Sequence, residues 1–197
     1  MSTSAERKPA TYEDLLAVPG DLVAEIFDGE LFTSPRPAFP HAHASTTLGG
    51  DISTRFHHPL GGGDNPGGWW ILFEPEPHFK NDVVVTDIAG WRRERVPLLP
   101  NTPWSDIAPD WVCEVVSPRT EATDRGRKLH IYAREGVNHV WLVNPLARIL
   151  EVYRLSESRW TLLQTLVNDE VVRAEPFASA VIEMSRWWLP EAPPEQR

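Results

Sequence analysis

Two carboxylates lie inside apolar segments of the sequence. Glu114 interrupts the run Trp111-Val112-Cys113-Glu114-Val115-Val116, and Asp87 follows Val83-Val84-Val85-Thr86. An ionised carboxylate in such surroundings is costly unless it is protonated, paired with a cation or bound to a metal ion. If the two segments are neighbouring strands, both carboxylates reach one divalent ion, an arrangement that suits Mg²⁺. The alternatives are an ion pair of Glu114 with an arginine and a solvent-facing Asp87 at the end of its strand.

Lys128 completes this predicted site from a helix expected over residues 120–134. Asp124 lies one turn before it and Tyr132 one turn after it, so the three side chains share a helix face. If that face looks towards Glu114, the lysine orients an attacking water or stabilises charge on a phosphoryl group. The alternative is an ordinary surface pair with Asp124. Five basic residues against two acidic ones also predict a local phosphate-facing patch: Arg119, Arg125, Arg127, Lys128 and Arg134 against Glu121 and Asp124.

Two further side chains are candidates for accessory roles. Glu25 lies in a predicted strand and is either an accessory ligand or a carboxylate at a hairpin edge. His43 opens a helix predicted over 41–57, where it either lines the site or caps the helix. The segment 91–95, with three arginines, is either a DNA-contacting arm or a solvated face.

The elements that must position these residues are short and mixed. Helices are expected over 11–17, 41–57 and 120–134, where the second carries an apolar stripe of Leu48, Ile52 and Phe56. Strands are expected over 22–27, 30–32, 69–73, 82–88, 111–116, 138–143, 149–155 and 160–166, with a tight turn at Asp28-Gly29. This order predicts an α/β or α+β domain with a mixed sheet.

Length and composition bound the possible functions. The 197 residues predict one domain over 11–189, between disordered tails at 1–10 and 190–197. A net charge of −9 excludes a protein that coats nucleic acid by charge alone, but not an enzyme with a local basic patch. Cys113 is the single cysteine, so no intrachain disulfide and no multi-cysteine zinc site are expected. No apolar run is long enough to span a membrane or form a signal peptide, so we expect a cytoplasmic protein without membrane partners.

These pieces, taken in order, resemble a known family. The relevant segments are the hairpin 24–31, the proline-rich loop leading to His43, the segment 85–91 with Asp87, the segment 109–118 with Glu114, Lys128 with Tyr132, and the segment 136–145. Over residues 12–155 they resemble the Uma-type restriction endonuclease family of the PD-(D/E)XK nuclease superfamily. Each segment is weak evidence alone, and the shared order and spacing carry the resemblance.

The resemblance implies a restriction-endonuclease-like fold, in which helices flank a central mixed sheet. It also implies a Mg²⁺- or Mn²⁺-dependent hydrolase of DNA phosphodiester bonds, with Asp87 as first metal ligand and Glu114 as second. The chain departs from the motif at two positions: Thr86 replaces its proline, and Val116 stands where its lysine is expected. Lys128, on the following helix, fits the role of the displaced lysine, with Tyr132 as an accessory residue.

Two other functions stay open at this point. Nine tryptophans and the acidic charge also suit an inactive nuclease-fold module that binds proteins or supports assembly. A small β-rich sugar binder with exposed tryptophans is the third hypothesis, and it requires Asp87 and Glu114 to lie far apart. A homodimer is expected because two-fold partners suit cutting both strands of a duplex, with Trp187-Trp188-Leu189 as packing or interface surface.

Overall fold

The computed structural model describes residues 8–59 and 65–190. This part of the chain contains two larger β-sheets, a two-stranded sheet, four α-helices, a π-helical segment and a 3₁₀ turn. In chain order the elements are α1 (Tyr12–Leu16), β1 (Leu22–Phe27), β2 (Glu30–Pro35), α2 (Phe39–Phe56), β3 (Trp69–Phe73), β4 (Glu76–Phe79), β5 (Asp82–Val83), β6 (Ile88–Arg92), β7 (Trp104–Ser105), β8 (Trp111–Val115), α3 (Glu121–Thr123), a π-helical segment (Asp124–Lys128), α4 (Leu129–Arg134), β9 (His139–Asn144), β10 (Ile149–Ser156), β11 (Arg159–Val167), β12 (Val171–Val172), β13 (Ile182–Glu183) and a 3₁₀ turn (Met184–Trp187). The predicted mixed α+β fold is confirmed.

The predicted tails lie mostly outside the described residues. Of the N-terminal tail, residues 8–10 are described, and the Ala10 N–H donates to the Gly29 carbonyl at 2.7 Å. In the described ranges no helix is long and apolar enough to cross a membrane.

Local signals in the sequence account for the first three elements. Thr11 caps α1 through a reciprocal capping box with Asp14. The β1–β2 hairpin turns at Asp28 and Gly29, whose φ angles of 51° and 77° are the left-handed values that a tight hairpin turn requires. The hairpin forms one side of a five-stranded sheet in the order β2-β1-β5-β4-β7.

The prediction of one continuous strand over residues 82–88 is wrong for its middle part, residues 84–87. β5 ends at Val83 in the five-stranded sheet, and β6 begins at Ile88 in the other sheet. Residues 84–87 cross between the two sheets, so their backbone groups bond to loops and side chains: the Val85 N–H, for example, donates to Glu25 Oε1 at 2.9 Å. Asp87 therefore lies at the start of a strand and not at the end of one.

The second sheet has six strands in the order β11-β10-β9-β8-β6-β3, and within this sheet, over the described residues, only the β8–β9 pair is parallel. β8 is central and buried along its whole length, as the apolar run predicted. On one face Trp111, Cys113 and Val115 pack in a core with α2, and on the other Val112 packs in a core with α4. Side chains alternate between faces along a strand, so Glu114 points to the α4 side.

The helix predicted over 120–134 contains a wider turn. α3 and α4 are joined by a π-helical segment, a distortion that is frequent at functional sites. The chain leaves α4 at Gly136, where φ is +75°.

The C-terminal tryptophans belong to the interior. Trp187 and Trp188 are buried in the same core as α2, and the Trp187 indole N–H donates to Asp51 Oδ2 at 3.1 Å. Leu189 alone of the three is exposed. The first two residues therefore pack within one chain, and the reading of this segment as an interface surface is wrong for them.

Candidate active site

A cavity of about 360 Å³ lies between the β1–β2 hairpin, the 84–87 crossing, β8 and the π-helical segment. We call it the carboxylate cavity. Besides Glu74, which also lines a second cavity, its walls carry four carboxylates, one lysine and one histidine: Glu25, Asp87, Glu114, Asp124, Lys128 and His41. Five of these six residues were singled out from the sequence, although Asp124 was named there only as a partner of Lys128.

Strand pairing brings the two central carboxylates together. β6 and β8 are antiparallel with Ile88 opposite Cys113, so Asp87 and Glu114 occupy the next position along the ladder. The Val115 N–H donates to Asp87 Oδ2 at 2.7 Å, and the Asp87 N–H approaches Glu114 Oε2 at 3.4 Å. This closeness contradicts the separation that the sugar-binding hypothesis requires.

Lys128 lies among three of the carboxylates. Its Nζ is 3.1 Å from Glu25 Oε1, 3.4 Å from Glu114 Oε1 and 3.5 Å from Asp124 Oδ1. It also donates to the Val85 carbonyl at 2.8 Å. The Asp124–Lys128 pair is buried, so the reading of it as an ordinary surface pair is wrong.

Tyr132 also holds the Glu114 carboxylate in place. Its hydroxyl donates to Glu114 Oε1, and both side chains are buried. Asp124, Lys128 and Tyr132 therefore face Glu114 together, which is the arrangement their spacing predicted.

The excess of carboxylates shapes the electrostatics of the cavity. Burial raises the pKa of Glu114 well above its ordinary value, and the charges of Asp124 and Asp87 act in the same direction. Burial likewise raises the pKa of Asp124. Burial alone would lower the pKa of Lys128, but the surrounding carboxylates, with Glu114 foremost, hold it well above its usual range. The cluster therefore has more negative charge than its own cations neutralise.

His41, and not the predicted His43, lines the cavity. Its Nε2 lies 3.2 Å from Asp87 Oδ1, and its buried Nδ1 has no hydrogen-bond partner among the described residues. Burial lowers the pKa of His41, but the hydrogen bond and charge of Asp87 outweigh this effect and raise it. α2 begins at Phe39, before the predicted start, so residue 41 falls in its first turn, while residue 43 is rotated by about 200°.

A signal for His41 was present in the sequence. The residue lies seven positions before Leu48 and eleven before Ile52, so it continues the apolar stripe of α2 towards the N-terminus. The prediction missed it because the proline-rich segment before residue 41 was read as a loop.

The predicted basic patch is largely neutralised. Four of its five members contact carboxylates: Arg125 with Glu121 and Glu151, Arg127 with Glu30, Lys128 with Glu25, Glu114 and Asp124, and Arg134 with Asp28, Asp82 and Glu135. Arg119 is the exception in the described residues, because it is exposed at the mouth of the carboxylate cavity. Arg36 also lines this cavity.

The arginines of segment 91–95 also contact the protein itself. Arg92 and Arg93 lie over the rings of Trp69 and Trp70, at 4.6 and 3.2 Å from their centroids. Arg95 Nε bonds Asp110 Oδ1 at 3.0 Å. These contacts hold the segment against the sheet.

Comparison with known proteins shows the family of the chain that forms this cavity. The model of the Uma2 family, described as "Putative restriction endonuclease", matches residues 9–185. The chain belongs to this family. A restriction-endonuclease family supports nuclease activity and DNA as the class of substrate.

A solved structure shows the same fold as this Uma2 chain. It is described as a putative nuclease belonging to DUF820 from Anabaena variabilis ATCC 29413, and the two superpose with a TM-score of 0.70. The match covers 91% of this chain and 97% of the other at 22% sequence identity. No curated protein matches the chain.

The donors in the Uma2 carboxylate cavity fit a hard divalent cation. Within residues 8–59 and 65–190 no three His, Cys, Asp or Glu side chains are arranged as a ready-made metal site. Glu114 is engaged by Tyr132 and Lys128. Mg²⁺, however, is typically held by only one or two carboxylates, with water and substrate phosphate completing its shell. Asp87 and Glu114 supply that number, and the surplus negative charge of the cavity favours a cation.

We predict that Glu114→Gln stabilises the metal-free protein at pH 8 by about 1–3 kcal/mol. The raised pKa of Glu114 means that the folded state binds the proton more tightly than the unfolded state does. The free energy of unfolding therefore falls as the pH rises above the ordinary value of 4.5. The glutamine lacks this penalty and still accepts the Tyr132 hydrogen bond. Urea unfolding in the presence of a chelator, at pH 5 to 8, measures the difference, which should shrink towards pH 5.

Lys128→Met is the complementary substitution, because it removes the cation of the cluster where Glu114→Gln removes an anion. It removes the buried cation and leaves the carboxylates uncompensated, so we expect a loss of about 3–5 kcal/mol at pH 8. A Glu114→Gln protein that is less stable than the wild type at pH 8 would contradict this account of the cluster.

Proposed function

We propose that the chain is a metal-dependent endonuclease that hydrolyses DNA phosphodiester bonds at the carboxylate cavity. The observation that supports this most is the joint placement of Asp87, Glu114 and Lys128 in one cavity, held there by hydrogen bonds between β6 and β8 and by the π-helical segment. Membership of the Uma2 family supports the same class of reaction.

In this proposal Asp87 and Glu114 hold Mg²⁺ or Mn²⁺. When bound, such an ion supplies a water of lowered pKa and positive charge beside the scissile phosphate. Asp87 is the more accessible ligand, with 19% of its side chain exposed. Glu114 lies deeper, and Tyr132 keeps one of its oxygens fixed by a hydrogen bond.

Lys128 supplies fixed positive charge at the inner end of the cavity. Glu25 and Asp124 hold its ammonium group in place, so little reorganisation is needed when negative charge builds up on the phosphate. Arg36 and Arg119, at the cavity lining, are the basic groups placed to meet the neighbouring phosphates of the strand.

We predict that Asp87→Asn removes divalent-ion binding and lowers DNA cleavage by about 100-fold or more, because it removes the accessible ligand charge. Calorimetric titration with Mn²⁺ and Mg²⁺, and cleavage of supercoiled and linear DNA, measure the two effects. Asp169→Asn, an exposed carboxylate in another part of the chain, is the control and should behave as the wild type.

The alternative is an inactive nuclease-fold module. Its supporting observation is that Lys128 and Tyr132 already engage Glu114 without a metal ion. A wild-type protein that binds neither ion, alone or with a short duplex, and cuts no DNA would favour this alternative. Cleavage by Asp87→Asn at the wild-type rate would refute the assignment of the site.

We further predict that His41 positions Asp87 for metal binding. His41→Gln should weaken Mn²⁺ binding by about 10-fold, as is usual when a side chain that orients a ligand is lost. His43→Gln is the matched control two residues along the same helix, and it should change nothing. Equal effects of the two substitutions on the Mn²⁺ titration would contradict the role of His41.

A homodimer is the last part of the proposal, because a duplex has two strands to cut and a two-fold axis relates two identical sites. We expect light scattering to give about twice the 22.3 kDa of one chain. A mass equal to that of one chain would refute the dimer.

A further inference from the structure

A second cavity, of about 320 Å³, lies beside the carboxylate cavity. We call it the aromatic cavity, because Trp91 and Trp104 are among its walls together with Val96, Leu99 and prolines. Glu74 lines both cavities, so the two adjoin at this residue. No pattern in the sequence predicted this second cavity.

The aromatic cavity presents mainly ring faces and aliphatic groups. The Trp91 indole N–H is already used, since it donates to the Ile107 carbonyl at 2.8 Å. Trp104 stacks on His78 with ring centroids 4.7 Å apart and an angle of 11° between the planes. His78 Nε2 is in turn held by Glu76 Oε1 at 2.7 Å. The indole of Trp104, 36% exposed, is therefore a supported aromatic shelf.

Glu74 connects this shelf to the proposed metal ligand. Its φ of +45° is a left-handed value that is unfavourable for glutamate, and such strain persists where the surrounding structure enforces it. Its N–H donates to the carbonyl of Asp87 at 3.0 Å. The Glu74 carboxylate pairs with no other side chain in the described part of the chain.

These features select the chemistry of a ligand. A largely apolar cavity whose lining also includes two carboxylates, Glu74 and Glu76, repels a phosphate but accepts a flat, uncharged group that donates hydrogen bonds. A nucleobase has both properties: its face stacks on an aromatic ring, and the exocyclic amino groups of cytosine and adenine donate to carboxylates.

We propose that the aromatic cavity is a nucleobase subsite, and that the protein takes its substrate as an unpaired nucleotide. The base stacks on Trp104 and donates to Glu74, while the adjoining phosphate faces Asp87. This inference rests on the proposed nuclease function and adds to it the form in which DNA is bound.

The depth of the carboxylate cavity supports an unpaired substrate. Glu114 is 1% exposed and Lys128 is 6% exposed. A rigid duplex carries its phosphates on a convex surface, whereas a single strand or a base turned out of its stack can enter a recess.

The test measures binding of fluorescein-labelled 12-mer oligonucleotides by anisotropy, with Ca²⁺ as the divalent ion. We expect the single strand to bind more tightly than the duplex of the same sequence. Trp104→Ala should weaken single-strand binding by about 10-fold, the usual effect of losing one stacked base, and Trp104→Phe should restore it. Leu98→Ala is the matched control, because Leu98 lies on the loop that leads to β7 and is 83% exposed but does not line the cavity.

An abasic residue scanned along the oligonucleotide identifies the stacked base. At one position the abasic residue should weaken binding to the wild type about as much as Trp104→Ala does. At the same position it should not weaken binding to the Trp104→Ala variant any further. Glu74→Gln should reduce a preference for oligo(dC) over oligo(dT), because thymine has no exocyclic amino group. Glu157→Gln, at another left-handed glutamate, should leave the preference unchanged.

The outcomes separate this inference from the proposed function. The subsite is refuted, and the proposed nuclease function stands, if the wild type cuts DNA but the Trp104→Ala variant binds single strands as tightly as the wild type. Additive effects of the abasic residue and of Trp104→Ala on binding would have the same meaning. If the wild type neither binds nor cuts any of these oligonucleotides, both proposals are overturned.

Discussion

The burial of one ammonium group among carboxylates constrains much of this fold. Lys128 contacts Glu25 from the first hairpin, Glu114 from the central strand and Asp124 from its own helix. Removing these charges from water is costly, and only close mutual contact offsets that cost. Three separate parts of the chain must therefore meet at the Lys128 ammonium group. The hairpin, the strand pairing and the π-helical segment bring them together there.

The same cluster makes the centre of the sheet less stable than an apolar sequence would. All the remaining residues of β8 are apolar and buried. A hydrophobic side chain in place of Glu114 would pack there without a charge to satisfy. Proteins retain such groups chiefly where they are used, and perturbed carboxylates in a cavity are the usual mark of a functional site. The raised pKa of Glu114 is the electrostatic sign of this cost, and a cation in the cavity would offset it.

The sequence was sufficient for the parts of this site that depend on local pattern. Glu114 in an apolar strand and the four-residue spacing of Asp124, Lys128 and Tyr132 can both be read directly, because strand and helix periods are local properties. The crossing at residues 84–87 was misread as strand, because β-branched residues favour strands whether or not a partner strand is present. The neutralised basic patch could not be foreseen either, since Arg125 and Arg134 find carboxylates 26 and 52 residues away along the chain, Glu151 and Asp82. Trp104 acquires its place only through tertiary packing against His78.

The charge distribution has a consequence for how DNA would be held. Long-range attraction cannot draw a polyanion to a protein of net charge −9, and many of the arginines among the described residues are already paired with carboxylates. In the proposed function, binding comes instead from short-range contacts at the cavities, which are a cation held by Asp87 and Glu114, the rim groups Arg36 and Arg119, and the aromatic surface. Contacts of this kind act only when a nucleotide is already seated, so they favour recognition of local DNA conformation over indiscriminate coating. Under the proposed function, a recessed site on an acidic protein would then not act on every duplex that it meets.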